Sequence, residues 1–218
     1  MELTKWIKQP AQQPPNETYA KLAGDAQVER TAEALTANGM EAFIAANAVE
    51  AKEKLFELIP AGAEVFTATS QTLAGLDGVL DEIDERYDSV RAKLAKMDPQ
   101  TQQREMVKLG AVPEYMVGSV HAITEDGTVV IASNTGSQLA GYAASAAHVV
   151  WVVSTKKIVP NLDEAIQRIY EYAYALEDLR AQKAYGGMHS NVSKLLFVAK
   201  EIMPERTKVI LVKEYLGY

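Results

Sequence analysis

The chain has 218 residues, of which 48% are hydrophobic and 23% charged, and its formal net charge is −7. That size and balance fit one good-sized domain, or one with an N-terminal helical extension, and they argue against a broad nucleic-acid-binding face. No cysteine is present, which removes disulfides, zinc–thiolate sites, an iron–sulfur cluster in this chain and a cysteine nucleophile together.

The N-terminus lacks the apolar core of a signal peptide, and no apolar run approaches the roughly 18 residues of a membrane span. No membrane partner is expected, and a reducing cytoplasm is the simplest compartment. Residues 8–16, KQPAQQPPN, are Pro- and Gln-rich and read as an extended arm. Such an arm either folds over a neighbouring subunit of a homo-oligomer or is mobile. Ala and Leu recur at helical spacing over 17–38, and Asn38-Gly39 is a stop signal. Met40–Ala46 reads as a short strand. Asn47 is a suitable N-cap for a helix through Leu58, which Pro60 and Gly62 close. Glu64–Ala68 is a second strand, followed by the polar loop Thr69-Ser70-Gln71-Thr72 and another helix. Strand–helix alternation of this kind is the signature of a parallel α/β sheet.

Residues 79–112 read as an uninterrupted helical insertion, broken only at Asp98-Pro99, with acidic residues early and basic ones late. Val117–Ile123 and Thr128–Ala132 flank Asp126-Gly127, a strong hairpin signal. After Ala132 come Ser133, Asn134, Thr135, Gly136, Ser137 and Gln138, then an alanine-rich segment expected to be helical to about 146. A buried strand, a small polar loop and a helix N-terminus in that order can hold an anion without a basic side chain. Val149–Val153 is an apolar strand core, and Asn161 or Asp163 starts a helix that runs, with one break, to about Tyr185. Leu195–Ala199 and Val209–Val212 complete six or seven strands. The chain thus divides into an arm and helix at 1–38 and an α/β domain at 39–218.

The stretch GSVHAITEDGTVVIASNTGSQLAGYAASAAHVVWVVSTKKIV at 118–159 resembles the lactate-utilisation, or LUD, domain family. NLDEAIQRI at 161–169 and the segments between 191 and 217 are similar to the same family. The resemblance implies a Rossmann-like three-layer α/β fold of the NagB/RpiA/CoA-transferase kind, a mostly parallel sheet with one antiparallel hairpin. It also implies a place in systems that oxidise L-lactate to pyruvate beside iron–sulfur partner proteins. A cysteine-free chain would be a cluster-free component of such a system, with a cofactor of its own unknown. Many family members carry Glu-Thr-Gly-Thr at the hairpin where this chain has Glu125-Asp126-Gly127-Thr128, so the resemblance carries over Glu125.

The candidate site residues each have a plainer alternative. Ser133 to Gln138 would hold a carboxylate or phosphate with backbone amides and hydroxyls, or merely cap the next helix. Thr69, Ser70 and Thr72 repeat that chemistry, although no glycine comes before Gly75 to allow close backbone approach. Glu125 would be a nucleophilic or basic carboxylate, as in CoA-transferases, or a solvated turn residue. His121 and His148 lie in strands and read as structural. His189, in a glycine-bearing loop with Asn191 and Lys194 near it, can reach a ligand or belong to a surface connection. Lys156 and Lys157 follow a strand at the end where the 133–138 loop sits, and would neutralise an acid or face solvent. Tyr170, Tyr172 and Tyr174 read as a packing face, and the acidic run at 77–85 as the solvated side of a helix. No GxGxxG or P-loop motif occurs.

Three functions remain open on this reading. One is a cluster-free component of L-lactate or 2-hydroxy-acid utilisation that binds a small carboxylate. Another is a free-standing enzyme on a phosphorylated or CoA-linked metabolite with Glu125 as its carboxylate. The third is a regulatory or scaffold protein with no catalysis.

Overall fold

The computed structural model describes residues 13–218; the first part of the expected arm, residues 8–12, lies outside them. Its remainder lies along the C-terminal helix, with Asn16 N–H donating to the Glu171 carbonyl at 2.9 Å and Tyr19 to the Glu164 carboxylate at 2.8 Å. A 3-10 turn at Glu17–Ala20 leads into α1 (Asp25–Ala37), so the expected helix over 17–38 is a turn and then a helix. β1 (Glu41–Ala45) and α2 (Ala48–Glu57) follow, and Asn47 caps α2 by accepting the N–H of Glu50. β2 (Glu64–Thr67) meets the short α3 (Gln71–Ala74), which Ser70 caps by accepting the N–H of Leu73.

The expected insertion does stop around Asp98-Pro99 and restart, but before that point it is not one helix: it consists of α4 (Val79–Arg86), a two-residue strand β3 (Asp88–Ser89) and α5 (Val90–Leu94), with α6 (Gln103–Ala111) after the stop. The break at β3 has a cause in pairing: Asp88 and Ser89 register against Glu64 and Val65 of β2 and form the edge of the sheet. The acidic face of α4 is solvated, with Glu82 paired to Arg86 at 3.1 Å and to Lys52.

β4 (Tyr115–Gly118), β5 (Ala122–Thr124) and β6 (Val129–Ser133) come next, then a π turn at Gly141–Ser145 and β7 (His148–Ser154). A 3-10 turn at Thr155–Lys157 joins β7 to β8 (Ile158–Val159). Helix α7 (Leu162–Arg168) passes through a π segment, Ile169–Ala173, into α8 (Tyr174–Ala184), so the helix widens where a break is expected but stays continuous. β9 (Lys194–Val198) and β10 (Thr207–Val212) finish the fold.

Six parallel strands make the central sheet in the order β1-β10-β7-β4-β2-β3. The hairpin β5–β6 is not part of it; with β8 and β9 it forms a second, mixed sheet in the order β8-β5-β6-β9. The expected strand 117–123 is therefore two strands in two sheets. β7 shows why both faces of the central sheet are covered. Val149, Trp151 and Val153 point into a core shared with Ile123, Val129 and Ile131 of the second sheet and with Val28 and Leu35 of α1. Val150 and Val152 point the other way, onto Ala51 and Leu55 of α2 and Val79 and Ile83 of α4. Period-two alternation with both sets apolar is what a strand buried on both faces requires. The outer face of the second sheet packs Val130 and Val159 on Ala165 and Ile166 of α7. Among the described residues, no helix is long and apolar enough to cross a membrane.

Candidate functional site

Two neighbouring strands leave the carboxyl edge of the parallel sheet side by side and enter the second sheet. β4 does so through Ser119, Val120 and His121, and β7 through Thr155, Lys156 and Lys157. The two sheets part at this point, and a cleft of about 480 Å³ opens there. That size is ordinary for a small-molecule site, and the carboxyl edge of a parallel sheet is where such folds place ligands.

Arg168 fastens the two crossings together. Its guanidinium, fully buried, donates from Nε to the Lys156 carbonyl at 3.3 Å and from Nη1 to the His121 carbonyl, while Nη2 has no hydrogen-bond partner among the described residues. Lys157 is also buried, and its Nζ donates to Thr72 Oγ1 at 2.8 Å, the Val120 carbonyl at 2.9 Å and Ser119 Oγ at 3.1 Å. Lys156 turns the other way, with Nζ 5.7 Å from the ring centre of Tyr172. Three buried cations stand together here, and none is paired with a carboxylate among the described residues. Burial, then Arg168 and Lys156, hold the Lys157 ammonium well below the ordinary lysine range. Burial alone pulls Arg168 down to about 10. Burial followed by the charges of Lys157 and Arg168 pushes His121 down to about 3.

Both polar loops reach the cleft. Thr69, Ser70 and Thr72 line one side, and Ser133, Asn134, Thr135, Ser137 and Gln138 line the other. Much of their hydrogen bonding goes into shaping the loops themselves. Ser133 Oγ accepts the N–H of Gly136 at 2.8 Å, and Thr135 Oγ1 that of Ser137 at 3.4 Å. The helix expected after the loop is short: Leu139 and Ala140 run directly into the π turn. Arg206 shortens it, since its guanidinium takes the carbonyls of Gly141 at 2.7 Å, Tyr142 at 3.2 Å and Ala146 at 3.0 Å. A helix so short carries little macrodipole, and the positive field of the site comes from the buried cations instead.

Glycine is required where the first crossing begins. A Cβ on Gly118 would lie deep inside van der Waals contact with the Tyr142 hydroxyl and 3.0 Å from Ala68 Cβ. The C-terminal segment closes the opposite rim. Gly217, at φ 56, lies so near Thr72 that a Cβ would sit 2.5 Å from its backbone nitrogen. The Tyr218 hydroxyl then donates to Glu177, which also receives two hydrogen bonds of 2.7 Å from Arg180.

His189 and Asn191 line the cleft as well. His189 Nδ1 lies 3.0 Å from the carboxylate of Asp178, which is 1% exposed and also accepts Ser190 N–H at 2.7 Å and Gln182 Nε2 at 2.9 Å. Other candidates fall elsewhere. Glu125 is held away from the cleft by Gln27 at 2.9 Å and Arg30 at 3.1 Å, as one half of a surface ion pair. Lys194 packs its stem on Gly136 and reaches the Asn134 carbonyl at 3.4 Å without lining the cleft. His148 stacks on Tyr115. Tyr170 and Tyr172 are buried, and Tyr174 lies on the cleft wall. No group of three or more His, Asp or Glu among the described residues is arranged to hold a metal.

Sequence reasoning did not single out Ser119, Arg168, Asp178, Glu177, Arg180 and Tyr218. Arg168 and Asp178 are buried charges on helices, a placement that is costly unless the structure supplies partners.

A family model described as "LUD domain" matches residues 28–212. No curated protein matches. Among solved structures, the chain is similar to a crystal structure of a DUF162 family protein from Deinococcus radiodurans, with a TM-score of 0.54 and 10% identity, covering 88% of this chain and 99% of that one. At that identity the likeness concerns the fold.

Proposed function

The chain belongs to the LUD domain family, and from that premise we propose that its cleft binds a small carboxylate of the 2-hydroxy-acid class. The protein would then be a cluster-free component of L-lactate utilisation, working beside iron–sulfur partner proteins. One observation carries the reading: Lys157 and Arg168 are buried at the cleft, and neither is in an ion pair with a carboxylate among the described residues. Burying charges without a counter-ion costs several kcal/mol, which an anion in the cleft would offset. Of these cations Lys157 lines the wall, together with the hydroxyl residues Thr72, Ser119 and Ser133, while Arg180, also on the wall, is taken by Glu177. Those groups suit a carboxylate with a neighbouring hydroxyl.

A second reading draws support from the two hydroxyl-rich loops, which face one cleft from different strands. A ligand with two anionic groups, such as a phosphorylated or CoA-linked acid, would engage both. Thermal unfolding separates the readings, because a ligand of the native state raises the midpoint by mass action. L-lactate and pyruvate should raise it if the first reading is right, and phosphorylated acids or CoA alone if the second is. A midpoint unmoved by all of them would favour a scaffold role. Capture of cysteine-rich partners on the tagged protein tests its place in a lactate-oxidising system.

A further inference from the structure

We propose that Lys157 is a covalent site for 2-oxo acids, its amine condensing with the ligand's carbonyl to form an iminium ion. The inference rests on the reading that the cleft holds a small carboxylate, and adds to it what happens to the carbonyl beside that group.

Position is the first argument. Lys157 lies in the turn where β7 crosses between sheets, and its side chain lines the cleft between the two polar loops. Its partners are the second. Lysines of proteins ordinarily face a carboxylate or water, whereas Lys157 Nζ meets two hydroxyls, of Thr72 and Ser119, and one carbonyl, of Val120. A hydroxyl donates as readily as it accepts. When the amine is protonated it gives all three hydrogens to these partners. When it is neutral, the carbonyl and one hydroxyl keep a hydrogen each and the other hydroxyl turns to donate to the lone pair. The same cage therefore supports both forms, and both hydroxyl residues line the cleft. Arg168 and Lys156 behind it favour the neutral amine, as burial does, and a desolvated lysine beside other cations is an effective nucleophile.

The step balances without any added oxidant or reductant. The neutral amine attacks the carbonyl carbon of the 2-oxo acid, forming a C–N bond while the C=O π pair moves to oxygen. A nitrogen proton passes through the Thr72 or Ser119 hydroxyl to that oxygen, giving a carbinolamine. A second proton, supplied from solvent, lets the oxygen leave as water while the nitrogen lone pair forms C=N. The resulting iminium cation lies next to the ligand's own carboxylate. A 2-hydroxy acid has no carbonyl and binds without this bond.

Borohydride trapping tests the proposal, because reduction turns the iminium into a stable secondary amine. The whole protein is incubated with pyruvate or L-lactate, reduced, and analysed by intact mass and peptide mapping, with thermal unfolding of unreduced samples in parallel. The expected result is one reduced pyruvyl group per chain on the peptide bearing Lys157, none with L-lactate, and loss of the adduct in Lys157→Arg. Mapping in the natural sequence locates the adduct even if the variant fails to fold. If pyruvate raises the melting midpoint and leaves no adduct, or labels surface lysines equally, the covalent site is overturned while carboxylate binding stands. If neither acid moves the midpoint and no adduct forms, both readings fall.

Discussion

Nδ1 of His121 accepts the backbone N–H of Ala132 at 3.1 Å, which ties the first crossing to β6 of the second sheet. A ring nitrogen that accepts cannot carry the proton, so the imidazole is neutral with its hydrogen on Nε2. Burial, then Lys157 and Arg168, push its pKa from 6.5 down to about 3. Between those two values the unfolded chain binds a proton that the folded chain refuses. The contribution to stability is full above about pH 6.5 and declines as the pH falls toward about 3, by at most about 1.4 kcal/mol per pH unit. Urea unfolding at neutral and mildly acidic pH checks this. The His121→Asn variant keeps an acceptor for Ala132 and should lose less stability on acidification than the natural chain. Equal losses in the two would assign the acid sensitivity to other groups.

Gly118 ends β4 directly beneath the Tyr142 hydroxyl. Gly118→Ala places a methyl group where that oxygen now sits, and the expected cost is about 1–3 kcal/mol, the usual range for overpacking a filled core. Tyr142→Phe removes the oxygen, whose hydrogen bond to the Ser119 carbonyl is long at 3.5 Å. The double variant should therefore recover part of the loss. Additive costs in the unfolding cycle would show that the Ala68 methyl, rather than the hydroxyl, sets the limit.

The parallel sheet was legible because β7, β10 and β2 are apolar runs with turn and cap residues on either side. The N-caps Asn47 and Asn161 were legible for the same local reason. Both polar loops were found from composition alone, and they do share one cleft. The second sheet was hidden because Val117 to Ile123 reads as one strand, and the Gly118-Ser119 pair at the change of sheet is too short a signal to split an otherwise apolar run. The charge of the site was hidden for a different reason. Lys156 and Lys157 are consecutive, so sequence gives no way to say which one faces the cleft, and Arg168 acts from a helix that begins after the crossing is complete.

Arg168 holds one carbonyl from each crossing, those of His121 and Lys156. Arg168→Met keeps much of the packing and strands both buried acceptors, at roughly 1–3 kcal/mol for each that finds no water. The same change removes a cation behind the cleft, so the rise in melting midpoint produced by a small acid should shrink with it. A variant that unfolds more easily and yet keeps the full ligand-induced rise would confine Arg168 to stapling the crossings.

Asp178 and His189 differ in what they stand to lose. The Asp178 side chain is 1% exposed, accepts from Ser190 N–H and Gln182 and meets His189 Nδ1, whereas the His189 side chain is 59% exposed. Asp178→Asn retains one acceptor oxygen and introduces an amide that faces other donors, with an expected cost of roughly 2–4 kcal/mol. His189→Ala removes only the solvent-facing partner of a carboxylate that keeps its bonds to Ser190 N–H and Gln182, so the expected cost is smaller, about 1 kcal/mol. Amide exchange across 185–191 should accelerate in the first variant and change little in the second, because one amide oxygen cannot accept at both positions where the carboxylate oxygens meet Ser190 N–H and Gln182. If His189→Ala instead costs as much as Asp178→Asn, the loop is held through the imidazole. The carboxylate would then be chiefly an orienting group for a histidine that faces the ligand.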